Sequence, residues 1–174
     1  DRFAKRVMAW EERRRNTQAM RGLIDRLKVM PRDQHLEEVW SHIQQVFPEL
    51  DYADSPRPVK KQHVLGVYFM MSRFVQGDFD YFWDTLSAAD KAAGDRQQYI
   101  ENLRRLRRIY EAASPAEQDQ MWLAMLLHDV GYTKPVAAFD HPELGATMVP
   151  GILARTALPQ ETVEAVTDLV RHHI

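Results

Sequence analysis

The sequence predicts an all-α fold, and three observations carry that prediction. Apolar residues recur at helical spacing along nearly the whole chain. No run of alternating apolar and polar residues is long enough to argue a sheet. Only seven glycines are present in 174 residues, too few for a loop-rich or strand-rich protein.

The elements follow in order. Phe3 to Met30 reads as one or two Arg-rich helices, ended by Pro31. Gln34 to Phe47 places Leu36, Val39, Trp40, Ile43 and Phe47 on one face. Pro48 and the stretch Asp51 to Pro58, with its Asp/Ser turn-formers and two prolines, form a linker. Val59 to Val75 is a helix carrying His63, and Phe79 to Leu86 is a short aromatic one. Ser87 to Asp95 holds a turn around Gly94. Arg96 to Ala113 is long and amphipathic. Ser114 and Pro115 open the next helix as capping residue and first-turn proline. That helix runs to His128-Asp129 and stops at Gly131. Pro142 to Ala154 and Pro159 to Ile174 complete the series. The last segment has Val163, Val166, Leu169 and Val170 in register but no terminating signal, so its helix is expected to continue. Both ends read as cuts in a longer protein, which would supply additional domains. Residues 1–54 form a helical lead-in and 55–174 the main domain. Within it, 76–114 reads as an insertion, because the 64 residues between His63 and His128 exceed what a simple helical connection needs.

Composition narrows the function classes. Hydrophobic residues make up 45% and charged residues 28%, as in a soluble globular protein. No apolar run approaches the ~20 residues of a membrane span, so no membrane partner is expected. A net charge of −2 gives no overall argument for nucleic acid. The clusters Arg13-Arg14-Arg15 and Arg104-Arg105-x-Arg107-Arg108 spread around their helices as solvated faces, which leaves no clear nucleic-acid site. The absence of cysteine excludes disulfides, zinc–thiolate sites and cysteine nucleophiles. No secretory signal is visible, and a cytoplasmic location is the default.

The chemistry lies in the histidines. His128-Asp129 ends the apolar run Met121 to Leu127, where a polar pair is costly unless something satisfies it. The dipeptide alone fits a helix end facing solvent. An ordered series changes that reading: His63, then His128-Asp129, then His141, then His172-His173. Several histidines and an aspartate on separate helices are more easily explained by a shared ion than by separate core roles. His172 and His173 point about 100° apart on a helix. His172 is the favoured ligand and His173 the second candidate. All-nitrogen-and-oxygen donors suit one or two divalent ions: Mn, Fe, Co, Ni or Mg, with Zn also open.

LLHDVGY, followed by DHPELGA and LVRHHI, resembles the HD-domain superfamily of metal-dependent phosphohydrolases over about residues 120–174. The phrasing is closest to the HD domain of PII uridylyltransferase/uridylyl-removing enzymes. The stretch Met20 to Leu50 resembles the helical segment that follows a nucleotidyltransferase domain. The resemblance implies an HD-domain helical bundle with His63, His128, Asp129, His141, His172 and His173 as metal ligands and Asp129 as a carboxylate bridging two ions. It implies a metal-bound hydroxide attacking the phosphorus of a small-molecule phosphoester, a nucleotide or a nucleotidyl-protein. Two departures matter. The family's last aspartate ligand has no counterpart after His173 and is expected beyond Ile174. Where many members carry a lysine this chain has Tyr132, and Lys134 is the candidate phosphate-binding cation, with a surface role equally open. Two other classes share the pattern: a two-iron oxygenase and a non-catalytic regulatory HD module beside a nucleotidyltransferase domain.

Overall fold

The structure is a computed structural model that describes residues 1–53, 55, 60–135, 137 and 140–173. Those residues hold nine α-helices, one 3-10 turn and no strand, so the fold is all-α. The expected linker at 54 and 56–59, the helix start at Val59, the lead-in boundary at 54 and the terminal Ile174 lie outside the described residues. No described helix is long and apolar enough to cross a membrane.

Helix α1 (Arg2–Lys28) begins on Asp1, whose carboxylate accepts from the Phe3 N–H at 3.0 Å. It is a single helix, and only its second half packs: Thr17, Met20, Leu23, Ile24 and Leu27 are buried at helical spacing. Helix α2 (Leu36–Val46) buries Val39, Trp40 and Ile43. Helix α3 (Lys60–Val75) buries Val64, Leu65 and Tyr68. One hydrophobic cluster takes in these faces together with Trp122, Leu126, Val149, Ile152, Val166 and Val170 from farther along the chain.

Helices α4 (Phe79–Thr85), α5 (Ala88–Ala93) and α6 (Arg96–Ala112) occupy the stretch read as an insertion. The turn expected around Gly94 is instead preceded by a short helix. Ser87 caps it by accepting from the Asp90 N–H at 3.1 Å, and the Ala-rich sequence behind that cap favours a helical turn. Gly94 itself has an ordinary negative φ of −106°.

Helix α7 (Pro115–Leu127) opens on a capping box, in which Ser114 and Glu117 satisfy each other's backbone N–H. It is tied sideways at two points. The Tyr68 hydroxyl donates to the Leu126 carbonyl at 2.6 Å, and the Trp122 indole N–H donates to the Tyr110 hydroxyl at 2.9 Å. The helix ends at Leu127, earlier than the stop expected at Gly131, and a 3-10 turn follows over Val130–Thr133.

Helix α8 (His141–Leu153) packs against that turn and against α9 (Gln160–Arg171). Gly131 is required by this approach rather than by a left-handed conformation. A Cβ placed there would lie 2.1 Å from the His141 carbonyl oxygen and 3.0 Å from the Gly145 nitrogen. At the far end of α8, Arg155 pairs with Glu49 and donates to the Val46 carbonyl at 2.7 Å, which clamps α8 to the chain after α2.

Helix α9 does not continue to Ile174 as expected; it ends at Arg171. The histidines themselves terminate it. The His172 Nδ1–H donates to the Asp168 carbonyl at 2.8 Å, which also accepts the His172 backbone N–H, and the His173 Nδ1–H donates to the Val170 carbonyl at 2.6 Å, so a side chain satisfies a carbonyl that the next turn would have used.

Gly131→Ala is expected to destabilise the protein by about 3 kcal/mol, because backbone rather than a flexible side chain must move. Gly22→Ala, at an exposed helical site with nothing within 4 Å of the added carbon, is expected to stabilise by about 0.4–1 kcal/mol. Urea denaturation of the two variants checks the contrast. Equal effects would refute the close-approach account of Gly131.

Candidate metal centre

Asp129 is 2% exposed, so its charge must be compensated within the protein. Compensation comes from both of its oxygens. Oδ2 faces Lys60 Nζ at 2.8 Å, His128 Nε2 at 3.4 Å and His63 Nε2 at 3.6 Å. Oδ1 faces His141 Nε2 at 3.2 Å and His173 Nε2 at 3.7 Å. Burial works to raise the Asp129 carboxyl. Hydrogen bonding and charge from His128 and Lys60 outweigh it and hold the group well below the usual carboxylate range.

Each surrounding side chain is placed by a local device. His63 stands on the first turn of α3 beside the buried Val64, and it is half-exposed. His128 directly follows α7, and its Nδ1–H donates to the Met125 carbonyl at 2.6 Å. His173 does the same past the end of α9. A carbonyl only accepts, so Nδ1 carries a proton in both residues and each ring turns its Nε2 toward Asp129. His141 opens α8 and is stacked on Tyr132, ring centres 3.9 Å apart and planes at 20°. Lys60 caps the other face of the cluster, with Nζ 3.9 Å from the Tyr132 ring centre.

The donor set fits a divalent ion. Two three-residue groups share the carboxylate: His63, His128 and Asp129 on one side, and Asp129, His141 and His173 on the other. Two donors bonded to one ion at about 2.1 Å stand ~3.0 Å apart at a right angle and ~3.4 Å apart in a tetrahedron. The carboxylate-to-imidazole separations of 3.2, 3.4, 3.6 and 3.7 Å match that spacing. The Nε2 atoms of His141 and His173 are 3.1 Å apart. That is a hydrogen bond, with one ring donating and the other accepting, and a cation between the rings would replace its shared proton with two nitrogen–metal contacts. Carbonyl-anchored imidazoles of this kind are the usual supports of metal ligands.

Of the residues singled out from the sequence, the structure brings together His63, His128, Asp129, His141 and His173. The expectation favoured His172 over His173, and the structure places the two differently. His173, past the end of α9, turns inward to Asp129, while His172 is exposed at the edge of the neighbouring cleft. A continuous helix was the wrong premise, because the backbone has left helical geometry at His172 with φ −111° and ψ 20°. Lys134, the candidate phosphate-binding cation, is exposed and does not line the cleft. Lys60 is the cation that reaches Asp129. The signal for it was present: Lys60 precedes His63 by three residues, so both lie on one helix face. Asp168 is an exposed helix residue, paired with Arg171 at 3.1 Å.

Residues 98–174 match the family model of the HD domain. The match supports the HD-domain superfamily for this part of the chain, and it covers His128, Asp129, His141 and His173 but not Lys60 or His63. No curated protein and no solved structure matches the chain.

The ammonium of Lys60 competes with an ion for Oδ2, whereas the Oδ1 side carries no such cation among the described residues. Elemental analysis of protein equilibrated with Mn²⁺ is therefore expected to give fewer than two ions per chain, with Lys60→Ala raising the number. His173→Ala is expected to lower it and His172→Ala to leave it unchanged. A loss on His172→Ala equal to that on His173→Ala would overturn this division of the site.

Proposed function

We propose that this chain is a divalent-metal-dependent hydrolase of phosphoesters, built around Asp129. One observation carries the reading: both oxygens of a single buried carboxylate face imidazole Nε2 atoms that are oriented from behind by helix-end carbonyls. A divalent ion bound there would supply an activated water and positive charge for the phosphoryl oxygens.

The protein's own groups do the positioning. Asp129 stays ionised because His128 and Lys60 hold it so, and it keeps the donors on its two sides at fixed separation. Burial, followed by the charges of Lys60 and His128, holds His63 below its ordinary value against the pull of Asp129. The imidazole therefore remains neutral and able to donate its lone pair near neutral pH. His63 is also the half-exposed member, so it stands at the substrate side. Lys60 can contact a phosphoryl oxygen if an ion takes its place on Oδ2. A nucleotidyl group attached to a protein is the alternative phosphoester, suggested only by the likeness of DHPELGA and LVRHH to uridylyl-removing domains.

Turnover of a panel of phosphomonoesters, phosphodiesters and nucleotides with Mn²⁺ is the direct test, and EDTA is expected to abolish it. Asp129→Asn should reduce both metal content and rate, the rate by more than the ~10–100-fold typical of groups one step removed from a metal. Full activity in Asp129→Asn would refute the mechanism. Iron-dependent oxygen consumption without phosphate release would assign the same donors to an oxygenase instead.

A further inference from the structure

The metal centre forms one wall of a cleft of about 750 Å³, a size that suits a small organic ligand. Away from the histidines its lining is apolar. Val67 comes from α3, Met121, Ala124 and Met125 from one face of α7, and Leu169 from α9. Leu169 is 45% exposed although it stands in an otherwise apolar register, and its side chain faces this cleft. The only carboxylate of the described lining besides Asp129 is Asp168, at the rim, and the described lining contains no lysine or arginine.

From this lining we infer that the cleft takes the apolar organic group of a phosphate monoester, an alkyl or aryl group, with the single phosphate directed to the metal centre. The inference rests on the proposed hydrolase reading and names its substrate class. A second or third phosphate would lie against thioether and methyl groups, and no lysine or arginine of the described lining would meet it, since Arg171 at the rim is paired with Asp168. Sugar hydroxyls in the same place would lose water contacts without gaining partners. An alkyl chain or a ring has no such cost. The two methionines add adaptability, since an unbranched thioether reshapes around rings and chains and contacts aromatic edges favourably. The cleft is continuous with the catalytic wall, so a group seated in it is held within one bond or two of the phosphorus.

Two series measured on the Mn²⁺-loaded protein test this. The first is kcat/KM for methyl, butyl, hexyl, octyl and phenyl phosphate against nucleoside mono- and triphosphates. The second is the affinity, by calorimetry, of the matching non-hydrolysable alkylphosphonates. Both are expected to rise about three- to fourfold per methylene until the cleft is filled. Met125→Gln should flatten the rise, and Leu169→Asn, at a half-exposed position, should do the same; neither should change metal content. A flat phosphonate series, or nucleoside triphosphates turned over faster than octyl phosphate, would overturn the inference even if phosphoesters are hydrolysed. Chain-length-dependent phosphonate binding with no ester hydrolysed would uphold the inference and refute the hydrolase reading.

Discussion

Everything at the site depends on keeping one carboxylate ionised inside an apolar interior. Asp129 sits directly after a helix whose Trp122, Leu123, Leu126 and Leu127 are fully buried, and there an unpaired charge would cost several kcal/mol. Four imidazoles and one ammonium surround it. Hydrogen bonding and charge from His128, and then from Lys60, offset that cost. The same geometry explains why a divalent cation suits the place. It would satisfy the carboxylate and the lone pairs of His128 and His173 at once, which the lysine cannot do.

That constraint reaches back into the packing. The 3-10 turn after Asp129 must bring Tyr132 under Lys60 and against His141, and this requires α8 to begin almost in contact with Gly131. Small residues at 131 and 145 make the approach possible, since a Cβ added at Gly145 would lie only 3.4 Å from the Gly131 nitrogen. The Tyr68 hydroxyl fixes α3 against the last turn of α7, which sets the distance from His63 to Asp129. Burial keeps that hydroxyl protonated, so it remains a donor.

The sequence made the longer helices legible because their buried faces follow a simple period. Met20, Leu23, Ile24 and Leu27, and likewise Val39, Trp40 and Ile43, can be read without a structure. Short features escaped for physical reasons. Helix α5 buries nothing, so it leaves no apolar period, and only its Ser87 cap announces it. Gly131 looked like a helix stop because glycine serves both left-handed turns and close contacts, and sequence alone does not separate the two. The ordered His and Asp residues were visible as a series. Which of His172 and His173 turns inward was not, since that depends on the backbone leaving the helix between Arg171 and His173. Lys60 was overlooked because its role comes from a contact across 69 residues of chain.

The histidine-terminated helices have an electrostatic consequence. An α-helix carries roughly half a negative charge at its C-terminal end, through carbonyls that lack intrahelical partners. Helices α7 and α9 both finish at the cluster, and in each the last free carbonyls are bridged to the site by an imidazole: Met125 through His128, and Val170 through His173. The dipoles of two helices therefore add to the field of Asp129 and favour positive charge at the Nε2 side of both rings. Polarisation through the Nδ1–H contacts also makes the opposite nitrogens more basic. Cation affinity here is thus partly a property of the backbone, and it would weaken wherever the final turn of either helix unwound.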